Sequence, residues 1–210
     1  MWIGTENGLL RWKDHRFSRF GPGVGGISHG NIRFLSIGAG GGLWIATSNG
    51  LNYYRNGNFI HFQDRDGLYA NDIRSVFEDS HGQVWAGCDR SEGEGGLQRR
   101  LPGQGFVGFP EKPTDLLSMT HSILEDKFGS IWWGNNAGLH RQGPDGREDF
   151  TVEQNLLGHV VKWLQLTANG DLLVVTGERQ GIPGQPGLQR FRDGRFTTIP
   201  LTDYEIENDV

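Results

Sequence analysis

The stretch from Ile73 to Phe109, IRSVFEDSHGQVWAGCDRSEGEGGLQRRLPGQGFVGF, decides the fold. It holds four short apolar runs: IRSVFED (73–79), VWAGC (84–88), GLQRR (96–100) and FVGF (106–109). SHGQ, a Gly-rich link and PGQG stand between them. Such short runs, bounded by Gly, Asn, Asp or Pro, suit strands better than helices. No convincing helix of three turns is found anywhere in the chain.

The second of these runs recurs. MWIGTENGLLRW opens the chain, LWIATSNGLNYY follows at 43–54, then VWAGCDR with GGLQRR, then IWWGNNAGLHRQ at 131–142. A weaker fifth copy reads LLVVTGERQ with GLQRF. The anchors are Trp2, Trp44, Trp85, Trp132 and Leu173, spaced 42, 41, 47 and 41 residues apart. Extra residues inside the third copy account for the longest interval.

Four antiparallel strands in about 42 residues is the size of a propeller blade. A lone four-stranded meander leaves both apolar faces wet, and stacking blades face to face buries them. A Trp in the second strand buries about 150–250 Å² against a neighbour. Small residues follow two positions later (Gly4, Ala46, Gly87, Gly134), where a larger side chain would crowd the Trp. Asn7-Gly8, Asn49-Gly50, Asn56-Gly57 and Asp193-Gly194 offer the positive φ that tight turns need.

The sequence therefore predicts an all-β protein, a β-propeller of four-stranded antiparallel blades. The strands of a blade are A to D, from channel to rim. Residues 1–20 supply strands B to D of blade 1. Blades 2 to 5 occupy 27–66, 71–109, 116–152 and 158–199, and 200–210 reads as the lead-in to a further blade. On this reading about five blades are present and one inner strand is missing. The alternatives are a fragment of a larger propeller and a small five-bladed protein.

Composition sets the outer limits. Glycine is abundant, 34 of 210 residues, and there are seven Trp. The large apolar side chains argue against a disordered chain. Cys88 is the only cysteine, so no internal disulfide forms. It replaces the Thr of Thr5, Thr47 and Thr176 and reads as a small buried residue. No apolar run reaches membrane-spanning length, so no membrane contact is expected from this segment. The start lacks the features of a signal peptide. A net charge of -5 disfavours a nucleic-acid surface.

The repeated pattern resembles the two-component regulator propeller repeat. Ile73-Arg74-Ser75-Val76-Phe77-Glu78-Asp79 with Gly82 and Trp85 carries the resemblance, as does Ser122-Ile123-Leu124-Glu125-Asp126 with Gly129 and Trp132. Residues 2–9 and 44–51 match its second half. Gly38 stands where the Asp should be in one unit, and Thr167 and Leu173 depart from the pattern in the last. The resemblance implies part of a seven-bladed ring. It further implies a periplasmic or extracytoplasmic sensor module of a hybrid histidine kinase or related regulator, with signalling domains elsewhere in a longer chain. Many such sensors detect products of carbohydrate breakdown.

Antiparallel topology places the B–C and D–A loops on one face, here called upper. The two long insertions, 89–95 and 177–187, are both B–C loops. Eleven residues before each anchor stand Arg33, Arg74, His121 and Lys162. These would form a partial basic ring at the upper mouth, where one sign of charge concentrates the other. An oligosaccharide or other small anionic or polar ligand, such as a uronate-bearing sugar, would suit it. Asn31, Asn71, Asp72 and Ser118 would bond hydroxyls, and Trp163 would stack on a sugar face. The plainer reading pairs these bases with acidic neighbours and packs Trp163 between blades.

No catalytic, metal or cofactor site is expected. Glu78-Asp79 and Glu125-Asp126 are adjacent strand residues that point to opposite faces, so neither pair is a glycosidase dyad. Asp79 and Asp126 should instead accept backbone N–H groups in turns ending at Gly82 and Gly129. The histidines form no ligand cluster. His29, His121 and His159 fall near blade tops, which keeps a lyase or hydrolase built across blades as one alternative. A protein-interaction scaffold is the other. The strings GPGVGG (21–26) and GQGFVG (103–108) lack the helix a dinucleotide site needs.

Overall fold

A computed structural model describes residues 1–89, 96–109, 119–178 and 185–200. Among these described residues, nineteen strands form five antiparallel sheets. The first sheet has three strands, β1 (Trp2–Thr5), β2 (Gly8–Lys13) and β3 (Arg16–Phe20). The second holds β4 (Ile32–Ile37), β5 (Leu43–Thr47), β6 (Gly50–Arg55) and β7 (Asn58–Phe62). The third holds β8 (Asp72–Glu78), β9 (Val84–Asp89), β10 (Gly96–Leu101) and β11 (Gly105–Phe109). The fourth holds β12 (Thr120–Glu125), β13 (Ile131–Asn135), β14 (Gly138–Gly143) and β15 (Gly146–Phe150). The fifth holds β16 (Val160–Leu166), β17 (Leu172–Gly177), β18 (Gly187–Arg192) and β19 (Arg195–Ile199). Each sheet is a meander with strands in chain order. The described residues contain single 3-10 turns but no α-helix, and no helix long and apolar enough to cross a membrane.

The first strands β4, β8, β12 and β16 neighbour one another in sequence order. The remaining strands of each sheet fan away from them, which is the blade arrangement of a β-propeller. The expected lead-in over 200–210 falls, from residue 201 onward, outside the described residues. So do 90–95 and 179–184 of the two insertions, and Ser118.

Turn chemistry follows the sequence in part. Asn56 and Gly57 (φ 50° and 88°) and Asp193 and Gly194 (φ 48° and 76°) take left-handed conformations at both central positions. That matches the right-handed twist of the flanking strands. The β2–β3 turn achieves it without glycine, through Asp14 and His15 at φ 50° and 60°.

The core lies between blades. Trp44, Leu51 and Phe62 of the second sheet pack on Ile73, Val76 and Val84 of the third. Trp85 and Leu97 meet Ile123, Ile131 and Trp133. Trp132 and Leu139 meet Leu164, Leu172 and Val174. Trp2, Leu9 and Phe20 meet Leu43 and Ile45. Each blade thus covers the next, as stacking requires.

The small residue after each Trp has a different cause from the one expected. Its space is taken by inner-strand residues, chiefly those of the next blade and at Gly87 also Ser75 of its own, not by its own Trp. A Cβ on Gly4 would lie 2.5 Å from Ile32 Cγ2, and one on Gly87 would lie 2.6 Å from the Thr120 carbonyl oxygen. One on Gly134 would strike the Val161 side chain. The fifth sheet carries Val175 at this position.

The Glu-Asp pairs bind blades together. Asp79 Oδ1 accepts the backbone N–H groups of His81 and Gln83 at 3.0 and 2.8 Å. Its Oδ2 accepts the indole N–H of Trp85 at 2.8 Å. Asp126 repeats this with Phe128, Ser130 and Trp132, at 2.9, 3.0 and 2.8 Å. The expected turn role is present, together with a tryptophan bond that the sequence did not announce. Glu125 turns to the preceding blade, accepting from Ser80 N and Oγ, both at 2.7 Å. Where Gly38 replaces the Asp, Trp44 Nε1 donates across the blade boundary to Glu78 Oε2 at 2.5 Å. In the fifth blade Thr167 Oγ1 accepts from Asp171 N at 3.1 Å, so the turn survives without a carboxylate.

Candidate functional site

A β-bulge interrupts each of the four inner strands near its upper end. The register shifts between Ile32 and Phe34, Ile73 and Ser75, Thr120 and Ser122, and Val161 and Trp163. The unpaired residues are Arg33, Arg74, His121 and Lys162. A bulge leaves one residue outside the ladder and re-aims its side chain. Four equivalent bulges therefore release four basic residues at the same end of neighbouring strands.

Three blades give their base a partner. Arg33 Nε lies 3.3 Å from Asp72 Oδ1, and Arg74 Nη2 lies 3.3 Å from Asp72 Oδ2. Arg74 Nη2 also donates to Asp89 Oδ2 at 2.6 Å. The chain Arg33–Asp72–Arg74–Asp89 has two charges of each sign and joins the second and third blades. His121 Nε2 lies 2.8 Å from Asn136 Oδ1. Burial holds the His121 imidazole below its ordinary pKa. The Asn136 bond opposes that shift, the nearby charges of Lys162 and Arg74 add to it, and Asp89 opposes it. His121 thus feels charges from the third and fifth blades at once.

Asp89 and Asn136 are the site residues the sequence reading missed. Both stand four residues after their anchor Trp, where the other full blades carry Ser48 and Gly177. A comparison of that one repeat column would have found them. Ser48 bonds His29 Nδ1 through its hydroxyl at 2.8 Å.

The remaining candidates take other positions. Asn71 fastens its loop, its Oδ1 accepting from Asp64 N at 3.1 Å and its carbonyl from Gly50 N at 2.6 Å. Trp163 is 45% exposed and meets Phe34 of the second blade, ring centroids 5.7 Å apart. Its equivalents Ser75 and Ser122 are buried and bond the next blade, through Thr120 O and Leu164 N. His29 is tied to Ser48 and Asn31. Among the described residues, three buried polar atoms at this end have no hydrogen-bond partner: Asp72 Oδ1, whose contact with Arg33 is an ion pair only, Arg74 Nε and Thr120 Oγ1. No group of three His, Cys, Asp or Glu among the described residues could hold a metal ion. Cys88 is buried within β9.

Clefts also open on the opposite face. One of about 330 Å³ lies between the fourth and fifth blades, lined by Trp132, Arg141, Leu172, Phe191 and Asp193. Its repeat equivalent, about 470 Å³, lies between the first and second, lined by Trp2, Arg11, Leu43, Tyr54 and Asn56. They stand at equivalent positions of the repeat, and neither is lined by Arg33, Arg74, His121 or Lys162.

The lowered His121 pKa makes a prediction. The unfolded chain takes up its imidazole proton near pH 6.5, before the folded protein does. The stabilisation is complete above that pH and is lost as pH falls toward the folded pKa. His121→Gln removes this contribution. Thermal midpoints followed from pH 7.5 to 5.5 should fall less in the variant than in the parent. Parallel curves would show that His121 titrates alike in both states.

No protein-family model and no curated protein matches the chain. Solved structures do. The extracellular domain of a protein described as a hybrid two-component system from B. thetaiotaomicron aligns with TM-score 0.72 and 24% identity, over 98% of this chain and 26% of its own. A second such domain from that organism aligns with TM-score 0.74 and 19% identity, over 96% and 27%. Virginiamycin B lyase from Staphylococcus aureus aligns with TM-score 0.70 and 14% identity, over 94% and 65%. At these identities the likeness shows the fold. The chain spans about a quarter of the length of the two extracellular domains. Those two come from the class of proteins that the repeat pattern resembles.

Proposed function

We propose that this chain is part of a non-enzymatic ligand-sensing propeller, the extracytoplasmic input module of a two-component signalling protein. Its ligand is a carbohydrate-like molecule bound at the upper mouth, with Arg33, Arg74, His121, Lys162, Asn71, Asp72 and Trp163 around it. The observation that carries this reading is the bulge repeated in β4, β8, β12 and β16. Each bulge gives up a ladder position and presents a basic residue at one end of the ring. The interruption falls at the same column four times, and each time the residue it releases is Arg, His or Lys. The likeness to extracellular domains of two-component proteins supports the compartment and the signalling role.

The test is a titration of the 210-residue chain with neutral and acidic oligosaccharides, followed by amide chemical shifts. Saturable shifts at the upper ends of β8, β12 and β16, without product, are expected. Arg74→Ala should weaken binding by about tenfold, the loss of one partly exposed charged contact. Turnover abolished by His121→Ala would instead favour a lyase or hydrolase. Silence toward every sugar, with a protein partner captured on the same face, would favour a scaffold.

A further inference from the structure

The column four residues after each anchor decides how each bulged base is satisfied. The third blade has Asp89 there, and Arg74 pairs with it at 2.6 Å. The fourth has Asn136, and His121 bonds it at 2.8 Å. In the second, Ser48 is held by His29, and Arg33 turns to Asp72 instead. The fifth blade has Gly177, which offers no side chain. The aliphatic stem of Lys162 lies over it, such that a Cβ on Gly177 would be 3.1 Å from Lys162 Cε. Lys162 is exposed, and none of the described residues forms an ion pair or hydrogen bond with it. Its charge is nonetheless felt at His121.

A count of charge at the mouth follows. Arg33 and Arg74 are matched by Asp72 and Asp89, and burial favours a neutral His121. Lys162 remains as the uncompensated cation among the described residues of this cluster. We infer that Lys162, freed by Gly177, is an anion subsite that takes one carboxylate of an acidic sugar, a uronate, beside His121. The inference rests on the ligand-binding reading and adds its charge class. The first carboxylate of an acidic sugar meets a ready ammonium at Lys162. Any further carboxylates would have to compete with Asp72 and Asp89 for the two arginines, so a longer acidic sugar gains from one charge only.

The experiment titrates the chain with trigalacturonate and with galactotriose, which share the galacto ring configuration and differ at C6, at low salt and neutral pH. Trigalacturonate should bind at least about tenfold more tightly, a difference of roughly 1.4 kcal/mol, and the gap should narrow as salt screens it. Lys162→Met should erase the preference, and Lys162→Arg should keep it. Gly177→Asp should erase it too, because it gives Lys162 the carboxylate that the third blade gives Arg74. That variant retains the lysine, whose flexible stem must give by a few tenths of an ångström to admit the new Cβ, so its effect does not depend on losing the ammonium. Equal binding of both trisaccharides, indifferent to these substitutions, overturns the anion subsite and leaves the ligand-binding reading standing. No shift at the mouth with either sugar overturns both.

Discussion

Asp79→Ala should lower the free energy of unfolding by about 3–5 kcal/mol. The carboxylate is 8% exposed and accepts three hydrogen bonds, two from its own turn and one from the buried indole of Trp85. Alanine leaves that indole N–H without a partner in a packed interface, which alone costs about 1–3 kcal/mol. Asp79→Asn should cost less, about 2 kcal/mol. Its oxygen can still serve the turn, but its amide then faces the indole donor. Thr167→Ala, at the equivalent turn of the fifth blade, should cost about 1 kcal/mol, since the Leu173 side chain has no N–H to satisfy. Urea unfolding followed by Trp fluorescence measures all three. A loss below about 1 kcal/mol for Asp79→Ala would mean that water replaces the carboxylate and that the Trp–Asp bond is incidental.

Gly134→Val should cost about 2–4 kcal/mol. The new Cβ falls on Val161, whose carbonyl oxygen would lie 3.1 Å away and whose side chain would lie nearer still. Backbone and a β-branched side chain are both stiff, so the fourth and fifth blades must separate to make room. Gly134→Ala should cost less, because Ala46 occupies the same column in the second blade and is fully buried there. Differential unfolding and amide exchange along β16 read the effect. Unchanged exchange in β16 would show that the blades are not pressed together at this point.

Both predictions come from the same feature, a repeat whose units contact mainly their neighbours. That feature was legible in the sequence. The recurring Trp with its small residue, the Glu-Asp pairs and the Gly-bearing turns place the strands and their order. Local rules suffice for this. Strand runs are short and bounded by turn residues, and a one-residue slip would turn every apolar side chain to the wrong face. The turn role of Asp79 and Asp126 was also legible, because a side chain that caps its own turn acts within four residues. The β2–β3 turn was not, since Asp14 is followed by His15 where the usual signal has glycine.

The candidate site was half legible. The column of Arg33, Arg74, His121 and Lys162 follows from counting back from the anchors. That the column coincides with a bulge, and which base is already neutralised, does not. Asp72 serves Arg33 across a blade boundary, 39 residues away along the chain. Trp44 finds Glu78 over a gap of 34 residues. No periodicity encodes such pairs, because they depend on how two blades lie against each other.

What the sequence determined by itself is the unit: four strands, their turns, the tryptophan that must be covered, and the basic column at one end. These are set by alternation, by turn stereochemistry and by apolar area that a single sheet cannot bury. The tertiary structure alone decided the use of each charge. Electrostatic pairing depends on distance in space, and a glycine at 177 matters only once Lys162 is seen lying over it.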